Sequence, residues 1–185
     1  MTVEPIRDKK KITQMYNYLK KRDEKYALLF KFGLNTGLRI SDILPITEQD
    51  IFKSSFVFYD HLNLVEKKTR KEKKIKINET LREDICAYLQ QRRVSAPYFF
   101  YSCKGGHIGR VQAYRVLKEA AEHCGIENFG THSLRKTWGY WTYQLSQFNI
   151  GLIMDTLNHS SPRITLRYIG VNQDLKDELY SLVQF

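Results

Sequence analysis

The sequence predicts an α+β fold, mostly α-helical, with a small three-stranded antiparallel β-sheet set among the helices and a single domain over residues 1–185. Three observations carry that expectation. Apolar residues recur at helical spacing on both sides of the chain's middle. Residues 50–77 switch to β-branched and aromatic residues with period-2 alternation. The chain length suits one domain, since domains of ~100–200 residues are typical.

The elements follow in order. Ile12, Met15, Tyr16, Leu19, Tyr26, Leu28, Leu29 and Phe32 mark two helices over 11–33, parted by the polar stretch Lys20 to Lys25. Gly33 and Gly37 punctuate "GLNTGLRISDILPI", and a short helix starts near Arg39 and stops before Pro45. "SSFVFYD", "LNLVEKK" and "KKIKIN" supply the sheet, with its last turn in "TRKE". Helices return at about 79–92 and, after the turn "CKGGHIG", at 110–124, where Val111, Leu117, Ala120, Ala121 and Cys124 share a face. Further helices are expected at 132–146, 150–157 and 161–168, with a tail helix at 172–182 inside a C-terminal segment 169–185. In that tail Leu175, Leu179, Leu182 and Val183 line one side, for packing on its own domain or on a neighbour.

Composition narrows the function classes. Apolar content of 42% and charged content of 27% describe a globular chain. No apolar run approaches the ~20 residues that span a bilayer, and "MTVEPIRDKKK" lacks the apolar centre of a secretory signal, so a cytoplasmic location is expected. Cys86, Cys103 and Cys124 are odd in number and form no CxxC pair, which argues against a disulfide framework. Cys103, His107, His123 and Cys124 fit no structural zinc spacing, and no metal site is expected. The net charge of +10 favours an anionic partner, with nucleic acid first among candidates.

Four stretches carry the chemistry. "TGLRISDIL" holds Arg39 and Asp42, which taken alone read as a surface i,i+3 pair. "EKKTRKEKKIKI" has seven Lys/Arg among twelve residues, and such a run is usually a solvated strand edge. "THSLRKTWGYW" places His132 and Arg135 on one helical face behind Thr131 as a cap, with Leu134, Trp138 and Trp141 assigned to the core. "LNHSSPRITLRYIG" holds His159 at a helix end and Tyr168 nine residues later.

In this order the four stretches resemble the catalytic domain of the tyrosine recombinases, the phage-integrase family, over residues 10 to 175. Each motif is weak alone; together and in register they are specific. The resemblance implies a site-specific DNA recombinase or integrase for a phage or mobile element. Tyr168 is its nucleophile, and Arg39 and Arg135 grip the phosphate with forked donors. His132 handles the tyrosine proton, and His159 donates to a phosphate oxygen. Asp42 supports Arg39. Alignment of "KTRKEKKIKI" makes Lys68 the acid that protonates the leaving oxygen, with Lys67 and Lys71 still open. Lys67, Arg70, Lys71 and Lys73 are expected to contact DNA. No cofactor is expected, because the cation set takes the place of the metal ions many nucleases use. The implied partner is double-stranded DNA, with a tetramer on DNA and a monomer in solution.

The chain departs from the family in one respect. The stretch ahead of the first helix leaves no room for the helical N-terminal domain that closes the family's clamp, so the chain reads as a piece of a longer integrase or as a minimal recombinase. Half a clamp neutralises fewer phosphates, so weak, salt-sensitive binding to isolated sites is expected. Two other functions compete. A type IB topoisomerase-like enzyme shares the phosphotyrosine chemistry, but its family resembles a lysine-bearing variant of the H-x-x-R box. A DNA-binding module that lost activity would have no reason to keep all six residues.

Overall fold

The computed structural model describes residues 3–171 and 180–182. Among these the chain runs α1 Lys9–Arg22, α2 Glu24–Thr36, α3 Ile40–Ile43, α4 Glu48–Ile51, β1 Phe52–Ser54, β2 Val57–Phe58, β3 His61–Val65, β4 Glu72–Lys76, α5 Glu79–Gln91, α6 Arg110–His123, α7 Ser133–Leu145, α8 Ile150–Leu157 and α9 Pro162–Ile169. The helices stand close to their expected places except for α4, a single turn outside the expected helices, and local signals explain their ends. Asp8, Asp23 and Asn78 cap α1, α2 and α5 through side-chain oxygens. Ser161 caps α9 and Pro162 begins it, the pairing that favours helix initiation. The tail helix expected over 172–182 falls mostly outside the described residues.

The sheet differs from expectation. Four strands pair as two separate antiparallel hairpins, β1–β2 and β3–β4, and no three-stranded sheet forms among the described residues. The reason is local. Phe56 takes a left-handed turn at φ 57°, so "KSSFVF" folds back on itself as Phe52↔Phe58 and Ser54↔Val57. Tyr59 and Asp60 then break the chain before β3. β3 and β4 pair in unbroken register from His61↔Lys76 to Val65↔Glu72.

One core holds most of the molecule. Met15 and Leu19 of α1, Phe30 and Phe32 of α2, Leu81 and Ile85 of α5, Phe99, Phe100, and Ala113, Leu117 and Ala120 of α6 are all buried within it. Each large apolar side chain so buried contributes about 1.5–3 kcal/mol. A second, smaller cluster of Ile153, Leu157 and Ile169 packs with Trp138, Tyr143 and Tyr168. It joins α7, α8 and α9. Close contact of α7 with α9 comes from Gly139, where a Cβ would meet the Ile169 side chain at 2.7 Å.

The extended segment from Val3 to Arg7 straps this region. The Ile6 N–H donates to Thr137 Oγ1, and the Trp141 indole N–H donates to the Ile6 carbonyl. Ser133 Oγ donates to the Glu4 carbonyl and Lys136 Nζ to the Val3 carbonyl. The Arg7 guanidinium donates to the Gly170 carbonyl, just beyond α9.

Candidate active site

The site is assembled where α2 ends. Gly37 caps α2 in the left-handed region at φ 63°, which glycine adopts without penalty. Space demands glycine as well, because a Cβ there would lie 2.5 Å from the Trp138 ring. This turn delivers Arg39 in extended conformation to the start of α3. Its guanidinium donates to Glu66 Oε1 at 2.7 Å and stands 4.0 Å from the Asp42 carboxylate. Asp42 is buried, and it accepts from the backbone N–H of Lys67 at 3.0 Å. Asp42 therefore ties down the β3–β4 turn, while Glu66 is the closer acid to Arg39.

Arg135 projects from α7 into the interior, and its side chain is 5% exposed. One nitrogen donates to the Gly37 carbonyl at 2.7 Å and the other terminal nitrogen to the Leu157 carbonyl at 3.2 Å. Its guanidinium lies 3.7 Å from Glu66 Oε1. A single side chain thus connects the T-G-L-R turn, the end of α8 and the hairpin. The two arginines, far apart in sequence, share one carboxylate oxygen.

His132 is the N-cap residue of α7, yet no side chain caps that end. The expected cap from Thr131 does not form. Ser133 organises the entry instead, accepting from the Gly130 N–H and donating to Glu4. The His132 ring is left open, with Nδ1 3.3 Å from the Tyr168 hydroxyl. Tyr168 sits in the last turn of α9, before the left-handed cap Gly170. His159 meets the Tyr168 ring edge-on at 4.9 Å between centroids, and its Nδ1 lies 3.0 Å from Thr165 Oγ1. Five of the six catalytic candidates therefore stand at one place.

Lys68, the sixth, lies in the β3–β4 turn and is exposed, with Lys67, Arg70 and Lys71 around it. Its charge is felt at the His132 ring. Lys73 is placed differently. It shares the inner side of β4 with Ile75, because alternate strand residues face alternate sides. Its ammonium donates to the Thr156 carbonyl on α8, and burial lowers its pKa while Glu66 opposes that shift. Lys73 joins the hairpin to α8, and the open basic surface of the hairpin consists of its other cations.

The electrostatics sort the ionisable groups by task. Burial holds the Tyr168 hydroxyl above its ordinary pKa, and the charges of Arg135 and Arg39 only partly offset this. The tyrosine therefore needs a base. Partial burial, then the charges of Arg39, Arg135, Lys68 and Lys136, push His132 below its ordinary value. His159 is lowered likewise by burial and then by Arg135 and Arg39. A neutral His132 carrying its proton on Nε2 presents Nδ1 as an acceptor to Tyr168.

Two residues of the site escape motif reasoning. Glu66 is fully buried and accepts from Arg39, from Thr69 Oγ1 at 2.6 Å and from the Asn158 amide at 3.0 Å. Its carboxyl is lowered, as burial is outweighed by the Thr69 hydrogen bond and by Arg39, Arg135 and Lys73. Asn158 is the left-handed cap of α8 at φ 56°, a conformation asparagine tolerates. Nothing in the linear run "EKKTRKEKK" separates Glu66 from a surface acid.

Comparison with known proteins agrees with this geometry. Residues 7–174 match the phage integrase family. The probable integrase/recombinase YoeC of Bacillus subtilis is 43% identical over 181 residues, covering 97% of this chain and 96% of YoeC. Tyrosine recombinase XerA of Pyrococcus furiosus is 29% identical over 167 residues, covering 88% of this chain and 54% of XerA. Of solved structures, a XerA recombinase superposes with a TM-score of 0.76 at 16% identity, covering 99% of this chain and 66% of that one. A lambda integrase fragment in a dimer bound to a COC′ core site gives 0.70 at 14% identity, covering 91% and 60%. The chain thus spans nearly all of YoeC but about half of XerA from Pyrococcus furiosus. A family match across almost the whole chain and a relative of matching length settle its membership: the chain belongs to the phage integrase family of tyrosine recombinases.

Proposed function

We propose that this recombinase cuts and rejoins DNA strands at a specific site through a covalent 3′-phosphotyrosyl intermediate, with Tyr168 as nucleophile. The observation that carries the reading is the meeting of the Tyr168 hydroxyl with His132 Nδ1 beside the paired guanidiniums of Arg39 and Arg135. The tyrosine oxygen bonds to phosphorus as its proton passes to His132. The bond from phosphorus to the 5′ oxygen breaks, and that oxygen leaves with its electron pair and takes a proton from Lys68. Arg39 and Arg135 stabilise the charge on the non-bridging oxygens, and His159 adds a donor. The phosphotyrosyl bond conserves the energy of the broken one, so a 5′-hydroxyl of a partner strand reverses the reaction without a nucleotide cofactor.

Lys67, Arg70 and Lys71 extend the basic surface of the turn toward the phosphates that flank the cut. The integrase-type catalytic domain over residues 1–185 acts as a monomer off DNA and as a tetramer on it. Its substrate is the double-stranded DNA of a phage or mobile element. No helix among the described residues is long and apolar enough to cross a membrane.

Covalent capture tests this reading. Nicked duplexes tiled from DNA flanking the gene are incubated with the protein and with its Tyr168→Phe variant. A denaturant-stable, protease-sensitive adduct formed only by the unmodified protein is the expected result. Adduct from the Tyr168→Phe variant would overturn the nucleophile assignment. Relaxation of a plasmid lacking any such site would point to a topoisomerase instead.

A further inference from the structure

Glu66 stands out once the site is built. The β3–β4 turn is bracketed by two glutamates, Glu66 and Glu72. Glu72 is exposed, while the Glu66 side chain is 0% exposed in the midst of seven lysines and arginines. A buried carboxylate is held only where hydrogen bonds and counter-charges satisfy it. Here one oxygen receives Arg39 at 2.7 Å and faces Arg135 at 3.7 Å. The other receives Thr69 and Asn158. The backbone of Glu66 closes the turn as well, accepting from the Arg70 N–H and donating to the Lys71 carbonyl. The phosphate-gripping parts of the machinery meet at this residue: both guanidiniums, the turn bearing Lys68, and the end of α8 before His159, while His132 and Tyr168 stand apart from it.

We propose that Glu66 is a positioning residue for strand cleavage, a buried carboxylate that sets the Arg39 and Arg135 guanidiniums and the Lys68 turn in register before DNA arrives. The inference rests on the recombinase reading above. Its physics is preorganisation. Two guanidiniums converging on one phosphate repel each other, and a shared anion behind them removes the need to rearrange when the phosphate enters. Arg39 retains 17% exposure, so it faces outward while Glu66 holds it from behind. The carboxylate also subtracts one charge from a surface that binds a polyanion. Its removal should therefore leave DNA affinity equal or raise it, while cleavage falls. A residue that merely supports the fold would lower both together.

The experiment compares the full chain with Glu66→Gln, which keeps the shape and loses the charge, and with Asn158→Gly, which keeps the left-handed cap and removes one tether. Three quantities are read: duplex affinity, single-turnover adduct rate on the nicked duplex, and the arginine side-chain NMR signals without DNA. For Glu66→Gln the expectation is unchanged or tighter binding, an adduct rate lower by ~100-fold, and faster guanidinium rotation at Arg39. Asn158→Gly should lower the rate by about tenfold. An adduct rate at the native level in Glu66→Gln would overturn the proposal, as would binding and rate falling in step with melting temperature. If even the unmodified protein forms no adduct, the recombinase reading has failed on its own. The NMR arm still decides, because Arg39 and Arg135 signals unchanged by Glu66→Gln would reject the positioning role.

Discussion

The two halves of the site are built to different standards. On the phosphate side, Arg135 is buried and fixed by two carbonyls, Arg39 is fixed by Glu66, and Glu66 is satisfied on both oxygens. On the proton side, Lys68 is exposed, His132 caps nothing, and its approach to Tyr168 is a single contact of 3.3 Å. The difference teaches a division of labour. On the proposed mechanism, the anion-binding frame exists before DNA, whereas the proton-transfer groups, with fewer contacts, would complete their alignment on the substrate. Catalytic hydrogen bonds are commonly long before substrate binds.

Losing the nucleophile should have the largest effect on chemistry and almost none on the fold. Tyr168→Phe removes one hydroxyl that is not needed for packing, so adduct should fall to background while duplex binding and melting temperature stay near native. Arg135→Ala is expected to break both chemistry and fold. Adduct formation should drop by about 100- to 1,000-fold. Stability should drop by about 3 kcal/mol, because two carbonyls and a buried carboxylate lose their partner. Chemical denaturation checks the second figure, and an Arg135→Ala protein as stable as the native one would dissolve the contrast between the two halves.

The two hairpin lysines sharpen the comparison further. Lys68→Ala should slow adduct formation by about 100-fold and leave stability within ~0.5 kcal/mol. A duplex with a sulfur leaving atom at the 5′ position, which departs without a proton, should restore the rate. Lys73→Ala should do the reverse, lowering the melting temperature through loss of its bond to α8, with no recovery from the sulfur substrate.

The smallest effect expected is the dependence on pH. His132 must be neutral to accept the tyrosine proton, and its folded pKa lies below the ordinary value. The adduct rate should therefore hold as pH falls past about 6.5, where a free imidazole protonates, and decline only at lower pH. His132→Gln should flatten that decline. A midpoint above the ordinary histidine value would contradict the electrostatics of the site.

The linear sequence exposed some of this and hid the rest, for physical reasons. The helices were legible because amphipathic spacing and caps are local signals, as at Asn78 and Ser161. The catalytic candidates were legible as motifs, and the turn at Gly37 shows why a motif survives folding: backbone angle and ring contact both require it. The two hairpins depart from the expected three-stranded sheet because a left-handed residue such as Phe56 leaves no mark in an aromatic run. Lys73 could have been read as inward-facing, since it keeps phase with Ile75 and Ile77. Glu66 could not, because its burial depends on Arg39, Arg135 and Asn158 arriving from three other segments.

The strap from Val3 to Arg7 has a practical consequence for handling the molecule. Its hydrogen bonds run to Ser133, Lys136 and Thr137 on the helix bearing Arg135, and to Gly170 behind the tyrosine helix. Anything joined ahead of Val3, whether a purification tag, a surface anchor or a second DNA-gripping module, hangs from those bonds. Load applied there is felt first at the start of α7, through Lys136 and Ser133, next to His132. A handle at that end therefore doubles as a lever on the cut.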